Sequence, residues 1–244
     1  MPLPNFLIIG ETKCGTTSMY DNLIQHPQIL PTVGNGNDMI VDASVPLGVK
    51  ELRFFDRNYH RGWDWYKSCF PKCPEGCITG EATPMYLSRP TALHRIQSVM
   101  PDIKIVVMAR EPSQRLLSHY NHIRKIDKVW REKYPTIEDF WNKASDQDSH
   151  IITKGIYWQS FCSLVFYFSQ KQLKLIISEE LFSNPDKVLK KTFDFLEVDS
   201  SVKIDAAHSR KNQYENKIPQ EIRDFYEPHN QILREMSDRK ELWR

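Results

Sequence analysis

The 244-residue sequence has almost no excess charge of either sign. Its 33 lysines and arginines are balanced by 31 aspartates and glutamates, which leaves a formal net charge of +2. Nucleic acids and anionic membrane surfaces are usually bound by strongly basic proteins, so this balance predicts neither as a partner. A local basic pocket for a small anion is compatible with it.

Long apolar runs are also missing. No stretch approaches the length of a membrane span, and no leader with a charged and an apolar region precedes the first strand candidate. We therefore expect a cytoplasmic chain without a membrane partner. The sequence has no repeat and no low-complexity tract. Its length allows one large domain or two small ones, and we expect a single domain over residues 1–244.

The five cysteines include no C-x-x-C pair. Cys69, Cys73 and Cys77 recur every four residues, but the prolines and the glycine between them exclude a shared helical face. Only His60 lies nearby as a further ligand, so we predict no metal site. Reduced thiols are expected, with a Cys73–Cys77 bridge as the alternative.

Candidate strands alternate with candidate helices along the chain. This order predicts an α/β fold with a central, mainly parallel sheet of about four or five strands and helices on both faces. A long loop is expected from Ile29 to Val49, and a polar loop from His208 to Lys217. The strand candidates are Phe6–Ile9, Cys77–Gly80, Ile103–Ala109 and Leu173–Ile177. The principal helix candidates are Thr16–His26, Ala92–Met100, Pro112–Arg124, Ile156–Ser169, Asp186–Leu196 and Pro219–Met236. Ile156–Ser169 is strongly apolar and aromatic and is expected to be a buried helix, and the stretch from Thr136 to Asp139 resembles the capping box that starts a further helix.

A polar turn joins the first strand candidate to the first helix. Gly10 and Gly15 have the spacing of the nucleotide P-loop, and Thr17 occupies its Ser/Thr position. Thr16 stands where the P-loop lysine belongs, and Lys13 lies inside the turn instead. A strand, a tight turn and a helix N-terminus direct N–H groups at an anion. The stretch therefore predicts a P-loop-like phosphate-binding turn that is not built for ATP or GTP; the alternative is an ordinary β-turn-α connection with a solvated lysine.

A second group of polar residues follows the strand candidate Ile103–Ala109. Arg110 ends that strand, Pro112 suits the first turn of a helix, and Ser118 lies further along it. A guanidinium and a hydroxyl could together bind one phosphate group. The alternative is a structural arginine that pairs with a neighbouring carboxylate. Ligands of parallel sheets bind at the carboxyl ends of strands, where both groups lie.

These motifs resemble those of the sulfotransferases that use 3′-phosphoadenosine 5′-phosphosulfate (PAPS). The stretch T-K-C-G-T-T fits that family's (P/T)-K-(T/S/C)-G-T-T, and R-E-P-S-Q-R-L-L-S fits its R-(D/E)-P-x-x-R-x-x-S. K-E-L-R-F-F-D, E-A-T-P-M-Y, G-I-Y and F-Y-E-P-H-N are similar to motifs of the glycan O-sulfotransferases, especially the heparan sulfate enzymes. The resemblance implies PAPS as co-substrate and no metal. It assigns nucleotide binding to Lys13, Cys14, Gly15, Thr16, Thr17, Ser18, Arg110, Ser118, Tyr157, Arg210 and Lys211.

The same resemblance implies two catalytic residues. Lys13 would stabilise charge on the leaving group, and Glu51 would act as general base toward the acceptor hydroxyl. The alternative for Glu51 is a surface carboxylate paired with Lys50 or Arg53, and Tyr157 could be a core aromatic instead of a nucleotide contact. Should Glu51 not be the base, Glu81 and then His60 are the next candidates. Cys14 has no base beside it in the sequence and is interpreted as a small loop residue.

The acceptor is predicted from the departures from the family pattern. Ala82 replaces the lysine that heparan enzymes place beside their polyanionic acceptor, and the net charge is only +2. We therefore expect sulfuryl transfer to a hydroxyl of a small natural product or a simple saccharide. The alternatives are a glycosaminoglycan or polysaccharide O-sulfotransferase, a P-loop nucleotide kinase, and a nucleotide-binding scaffold without activity.

Overall fold

A five-stranded, all-parallel sheet forms the centre of the protein. The computed structural model describes residues 3–33, 50–206, 217–237 and 242–243. The strands are β1 (Phe6–Gly10), β2 (Ile29–Leu30), β3 (Ile78–Ala82), β4 (Lys104–Ala109) and β5 (Leu173–Ile177), in the order β2-β3-β1-β4-β5. The predicted α/β class, parallel sheet and strand number are confirmed.

β1 lies in the middle of the sheet and is buried along its whole length. It pairs with β3 on one side and with β4 on the other, and Gly10 is opposite Met108. A Cβ atom on Gly10 would lie 2.4 Å from the main-chain oxygen of Met108, so only glycine allows this close approach. The carboxyl ends of β3, β1 and β4 therefore meet at one edge of the sheet.

Helices surround this sheet. They are α1 (Thr16–Leu23), α2 (Gly62–Ser68), α3 (Pro90–Val99), α4 (Pro112–Ile126), α5 (Lys128–Lys133), α6 (Ile137–Lys143), α7 (Asp146–Thr153), α8 (Tyr157–Tyr167), α9 (Ser178–Ser183), α10 (Pro185–Leu196) and α11 (Gln220–Ser237). Pro112 occupies the first turn of α4, and the Thr136 side chain caps α6 by accepting from the Asp139 N–H at 3.0 Å, as the sequence indicated.

Two expectations need correction. The long loop was predicted to begin at Ile29, but Ile29 and Leu30 pair in parallel with Ile78 and Thr79. Residues 34–49 of that predicted loop, and residues 208–216 of the predicted polar loop, lie outside the described residues. A strand of two residues is too short to produce a periodic pattern. α8 was predicted as a buried helix, yet Phe166 is 80% exposed, because only one face of this helix packs on the protein.

The buried apolar residues form two clusters. The larger one surrounds the sheet and includes all of β1 up to Gly10. The smaller one joins α4, α5, α6, α7 and α11, and is built around Leu116, Tyr120, Trp130, Phe140 and Tyr226. Packing in this second cluster fixes α4, which carries Ser118, against α7 and α11.

Two further predictions concern thiols and membranes. All five cysteines are free, so Cys73 and Cys77 are not bridged. In the part of the chain that the structure describes, no helix combines the length and the apolar character needed to cross a bilayer.

Candidate active site

The turn between β1 and α1 forms an open cradle of main-chain N–H groups. Lys13 and Gly15 adopt left-handed conformations, with φ of 76° and 82°. Gly15 is the N-cap of α1 and offers no side-chain oxygen, and the first turn of the helix contains no acidic residue. The N-cap residue therefore does not cap α1 with a side chain, and a helix N-terminus that opens on such a turn is an arrangement that can bind a phosphate or sulfate group. The described residues therefore fit the 5′-phosphosulfate end of a nucleotide.

Gly15 is required by its surroundings as well as by its conformation. A Cβ atom there would lie 3.3 Å from Ser178 Oγ and 3.5 Å from Phe182 Cζ, at a backbone φ that L-residues rarely adopt. The Ser178 hydroxyl lies 2.6 Å from the main-chain oxygen of Cys14 and 3.0 Å from that of Ala109. It thereby links the cradle to the end of β4. Sequence reasoning missed Ser178, although its place directly after β5 was a usable signal.

Cys14 stabilises the turn through a main-chain hydrogen bond and a buried side chain. Its N–H donates to the main-chain oxygen of Glu11 at 3.0 Å, and its side chain is fully buried. Burial raises the pKa of its thiol to about 11, so the group is a protonated thiol and not a nucleophile. Cys14 was predicted to bind the nucleotide; its contacts indicate that it acts by shaping the turn.

Tyr157, like Cys14, is buried next to the turn. Its side chain is 2% exposed, and its hydroxyl donates to the main-chain oxygen of Arg110 at 2.9 Å. The Cys14 sulfur lies 3.3 Å from the same hydroxyl. Because the thiol is protonated, it can donate to the tyrosine oxygen. The burial of Tyr157 agrees with the alternative interpretation, a core aromatic residue. Its direct contact with the nucleotide stays a prediction.

Arg110 meets the cradle directly. Its Nη1 donates to the main-chain oxygen of Lys13 at 3.4 Å, which the pairing of β1 with β4 makes possible. The carboxylate of Glu179 lies 4.0 Å from Arg110 Nε and accepts from the N–H of Glu111 at 3.1 Å. Arg110 therefore has a carboxylate neighbour, as expected if it were a structural arginine, although the distance of 4.0 Å is long for an ion pair. Burial raises the pKa of Glu179, and Arg110 opposes that rise.

The N-terminus of α4 is not available to a ligand anion. The Glu111 carboxylate accepts from the N–H groups of Ser113 and Gln114 at 3.0 and 2.9 Å. A phosphate near this helix must therefore be held by side chains, and Arg110 and Ser118 are the candidates that the sequence predicted. Ser118 lies on α4 and is 5% exposed.

Arg115, the second arginine of the same motif, is structural. It is fully buried, donates to the main-chain oxygen of Ile151, and lies 3.3 Å from Nδ1 of His119. Burial together with the Arg115 charge lowers the pKa of His119 to about 2, so this imidazole is neutral. Arg115 thereby ties α4 to α7.

Glu51 lies beside the end of β3. The Ala82 N–H donates to the main-chain oxygen of Lys50 at 2.8 Å, which places this segment at the carboxyl edge of the sheet. Lys50 Nζ is 2.7 Å from Glu51 Oε1, and the glutamate side chain is 40% exposed. The pairing with Lys50 matches the alternative given for Glu51, while Arg53 pairs with Asp56.

Glu81 is not suited to be the reserve base. Its carboxylate is fully buried and accepts from four donors: the Leu52 N–H and the hydroxyls of Tyr66, Thr83 and Tyr86. Burial raises its pKa to about 7, and these hydrogen bonds oppose the rise. Both carboxylate oxygens are thus occupied by buried donors, so Glu81 holds the surrounding segments together and is closed to a substrate. His60, the other reserve candidate, is exposed.

Two of the predicted nucleotide contacts, Arg210 and Lys211, lie outside the described residues. Within the described ranges, no group of three or more histidine, cysteine or acidic side chains is placed to hold a metal ion.

Comparison with known proteins gives the same family as the motifs. The sulfotransferase domain model matches residues 3–232. Heparan sulfate glucosamine 3-O-sulfotransferase 3A1 of Mus musculus is 28% identical over 99% of this chain and 64% of its own length. Its 3B1 counterpart of Homo sapiens is 32% identical over 80% of this chain and 46% of its own length. The chain thus spans less than two thirds of either relative.

A solved structure agrees. The sulfotransferase of Alicyclobacillus acidocaldarius superposes with a TM-score of 0.74 at 25% identity, over 97% of this chain and 96% of that one. The resemblance carried by the motifs is therefore confirmed: this chain belongs to the sulfotransferase domain family.

Proposed function

We propose that the protein transfers a sulfuryl group from PAPS to a hydroxyl group of a saccharide. The observation that carries the proposal is the contact between the two phosphate motifs, in which Arg110 Nη1 reaches the main-chain oxygen of Lys13 at 3.4 Å. A nucleotide with phosphates at both its 5′ and 3′ positions needs two anion sites close together. The cradle provides one, and the region of Arg110 and Ser118 provides the other.

The nucleotide would be held mainly by N–H groups and cations. The N–H groups from Gly15 through Thr16, Thr17 and Ser18, with the Lys13 ammonium, would bind the phosphosulfate. Arg110 and Ser118 would bind the 3′-phosphate, aided by Arg210 and Lys211. Binding energy from this remote phosphate would orient the reacting end. In this proposal Cys14 and Tyr157 shape the site.

The chemistry needs one proton acceptor and one site for developing negative charge. The acceptor oxygen attacks sulfur, the bond from sulfur to the bridging oxygen of PAPS breaks, and the acceptor hydroxyl loses its proton. Glu51 would take that proton through Oε2, since Oε1 is held by Lys50. Lys13 would stabilise the negative charge that forms on the bridging oxygen. No step requires a metal.

For the acceptor, the relatives favour a glycan. Both curated relatives are named for heparan sulfate glucosamine, so the glycosaminoglycan-type saccharide, held as an alternative on the sequence, is preferred to a small natural product. Membership in the sulfotransferase domain family likewise favours sulfuryl transfer over a P-loop kinase. The proposal treats residues 1–244 as one sulfotransferase domain, and a cytoplasmic location stays a prediction.

The test is mass spectrometry of acceptors incubated with the protein and PAPS. Glucosamine-containing oligosaccharides should gain the mass of one sulfuryl group, while a matched panel of small phenols and alcohols should not. Lys13→Ala and Glu51→Gln proteins should give little product. Sulfation of the phenols alone would overturn the saccharide assignment, and absence of any product from either panel would overturn the activity.

A further inference from the structure

His119 lies on α4, one residue after Ser118, and has no role in the mechanism given above. An α-helix has 3.6 residues per turn, so neighbouring side chains point about 100° apart. Ser118 can therefore face the 3′-phosphate while His119 faces another part of the site. The His119 side chain is mostly buried, but 9% of its surface is exposed.

The contact between His119 and Arg115 fixes which ring nitrogen carries the proton. Nη1 of Arg115 lies 3.3 Å from Nδ1 of His119. A guanidinium can only donate, so Nδ1 accepts and has no proton of its own. The proton of the neutral ring is then on Nε2. Arg115 is fully buried and also donates to the main-chain oxygen of Ile151, which keeps it in place.

The ring is a hydrogen-bond donor and not a base. Burial is the main reason that the pKa of His119 is lowered to about 2, and the Arg115 charge adds to the effect. The unprotonated nitrogen is occupied by Arg115, so it cannot take a proton from a substrate. Within the residues that the structure describes, the contact with Arg115 is the only hydrogen bond of His119. The Nε2–H group is thus left as a donor for a ligand.

The surroundings of His119 favour a negatively charged ligand. Lys154, at the C-cap of α7, Lys13, in the cradle, and His122, one turn further along α4, all act to lower the pKa of His119 further. No carboxylate is among these groups. An N–H donor surrounded by positive charge is suited to an anion. Because Lys13 belongs to the turn that is proposed to bind the phosphosulfate, that anion is the reacting end of the nucleotide.

The Arg115 guanidinium lies close to the back of the same cradle. Burial raises the pKa of the Cys14 thiol and of the Tyr157 hydroxyl, and the Arg115 charge opposes both rises. These two side chains are buried behind the turn, 3.3 Å apart. The pair formed by Arg115 and His119 therefore extends from the back of the cradle toward Lys13.

We propose that His119 is a further catalytic residue, whose Nε2–H donates a hydrogen bond to an oxygen of the sulfuryl group and stabilises negative charge there during the transfer. This inference rests on the proposed function. The proton stays on the ring, so Glu51 remains the proton acceptor and Lys13 remains the partner of the bridging oxygen. A neutral imidazole can polarise an oxygen in this way without adding a further positive charge beside Lys13. Arg115 acts as the positioning residue for the ring.

Two substitutions separate the two ring nitrogens. The amide group of asparagine lies near the place of Nδ1, and that of glutamine lies near the place of Nε2. His119→Asn therefore keeps an acceptor for Arg115 but loses the distal donor. His119→Gln keeps the distal donor but loses the acceptor for Arg115. His94→Asn, at an exposed position of α3, is the matched control.

The kcat of His119→Asn on a glucosamine-containing oligosaccharide should fall by about 10²- to 10³-fold, as expected for the loss of one donor to developing charge. Its affinity for adenosine 3′,5′-bisphosphate, measured by calorimetry, should match the parent, because this ligand has no sulfuryl group. His119→Gln should keep most of the parental kcat. Its melting temperature should be lower than that of His119→Asn, since a buried Arg115 N–H group loses its acceptor. His94→Asn should change none of these values.

A larger loss of kcat in His119→Gln than in His119→Asn would mean that His119 only supports Arg115, and would overturn the inference. Weaker bisphosphate affinity of His119→Asn would do the same. The pH dependence of kcat in the parent and in His119→Gln tests the inference even if His119→Asn does not fold. Both profiles should have the same shape between about pH 5 and pH 8, because a neutral ring does not titrate there. An acidic limb present only in the parent would show that His119 ionises. A parent that sulfates no acceptor would overturn the proposed function itself, so the two failures are distinguishable.

Discussion

The hydroxyl of Tyr157 lies 3.3 Å from the sulfur of Cys14, and both side chains are buried behind the cradle. The same hydroxyl donates to the main-chain oxygen of Arg110 at 2.9 Å. One tyrosine thereby connects the two loops that are proposed to hold the two ends of the nucleotide. The distance between these loops, and hence the spacing of the two anion sites, depends on this contact.

Tyr157→Phe tests that role. The substitution leaves the Arg110 carbonyl group without its partner in a buried place, so we expect a loss of about 1–3 kcal/mol in the free energy of unfolding. Affinity for adenosine 3′,5′-bisphosphate should fall at the same time, because the loops lose their spacing. Tyr167→Phe, on the same helix, is the control and should change neither. Weaker nucleotide affinity with unchanged stability would instead identify Tyr157 as a direct nucleotide contact.

Nucleotide selectivity follows from the absence of a P-loop lysine. Adenosine 3′,5′-bisphosphate should raise the melting temperature clearly, since a ligand at 100 times its Kd stabilises the native state by about 2.7 kcal/mol. ATP with Mg²⁺ should have little effect, because Thr16 occupies the position of the lysine that binds the β- and γ-phosphates. Differential scanning fluorimetry with both ligands measures this, and equal shifts would contradict the assignment of the two anion sites.

Arg110→Ala should weaken binding of the bisphosphate by about 2–3 kcal/mol, because it removes a charge-assisted contact with the 3′-phosphate. The melting temperature of the unliganded protein should change little, since the hydrogen bond from Arg110 to Lys13 is long, at 3.4 Å, and Arg110 Nε lies 4.0 Å from the Glu179 carboxylate. Arg131→Ala, at an exposed position of α5, is the control. Calorimetry that returns the parental affinity would make Arg110 a purely structural residue.

The framework of this site could be read from the sequence because it follows from local patterns. Apolar runs predicted β1 and β4, and neighbouring parallel strands bring their carboxyl ends together. The contact of Arg110 with the Lys13 main chain is the direct result. The spacing of Gly10 and Gly15 likewise predicted the tight turn, in which Gly15 adopts a left-handed conformation.

What the sequence did not reveal depends on packing between distant segments. The place of Ser178 after β5 suggests a site residue, but nothing local shows that its hydroxyl joins the cradle to β4, or that Lys154 is a neighbour of Met85. Glu81 is a further example, because the sequence alone does not tell whether a glutamate at a strand end contacts a ligand or buried hydroxyl groups. Only the tertiary fold places Tyr66 and Tyr86 on its carboxylate.

The buried position of Glu81 predicts a specific dependence of stability on pH. Its ordinary pKa of 4.5 applies to the unfolded chain, and burial raises the folded-state value to about 7. A carboxyl group whose pKa is raised by folding favours the native state while it is protonated, and this contribution is lost as the pH rises through the folded-state pKa. The native state should therefore lose on the order of 2–3 kcal/mol from this group between pH 5 and pH 8.

The comparison with Glu81→Gln isolates this effect, because glutamine does not titrate. The variant should be less stable at pH 5, since its amide group meets donors such as the Leu52 N–H. The difference in unfolding free energy between parent and variant should shrink between pH 5 and pH 8, as measured by urea titration. A difference that stays constant with pH would mean that the Glu81 pKa is not raised by folding.

The last prediction separates the roles of Lys13, in the turn after β1, and Glu51, in the segment bonded to the end of β3. Glu51→Gln keeps size and hydrogen bonding but removes the base, so turnover should fall by about 10²–10⁴-fold while affinity for the bisphosphate survives. Lys13→Ala should reduce both turnover and nucleotide affinity, because the ammonium is proposed to contact the phosphosulfate before and during the reaction. Lys50→Met removes the partner of Glu51 and leaves the carboxylate in place, so its loss of turnover should be smaller than that of Glu51→Gln. Single-turnover rates and bisphosphate affinities of the three proteins provide the comparison. Near-parental turnover of Glu51→Gln would exclude it as the base, and the buried, fully bonded carboxylate of Glu81 could not replace it without rearrangement of β3.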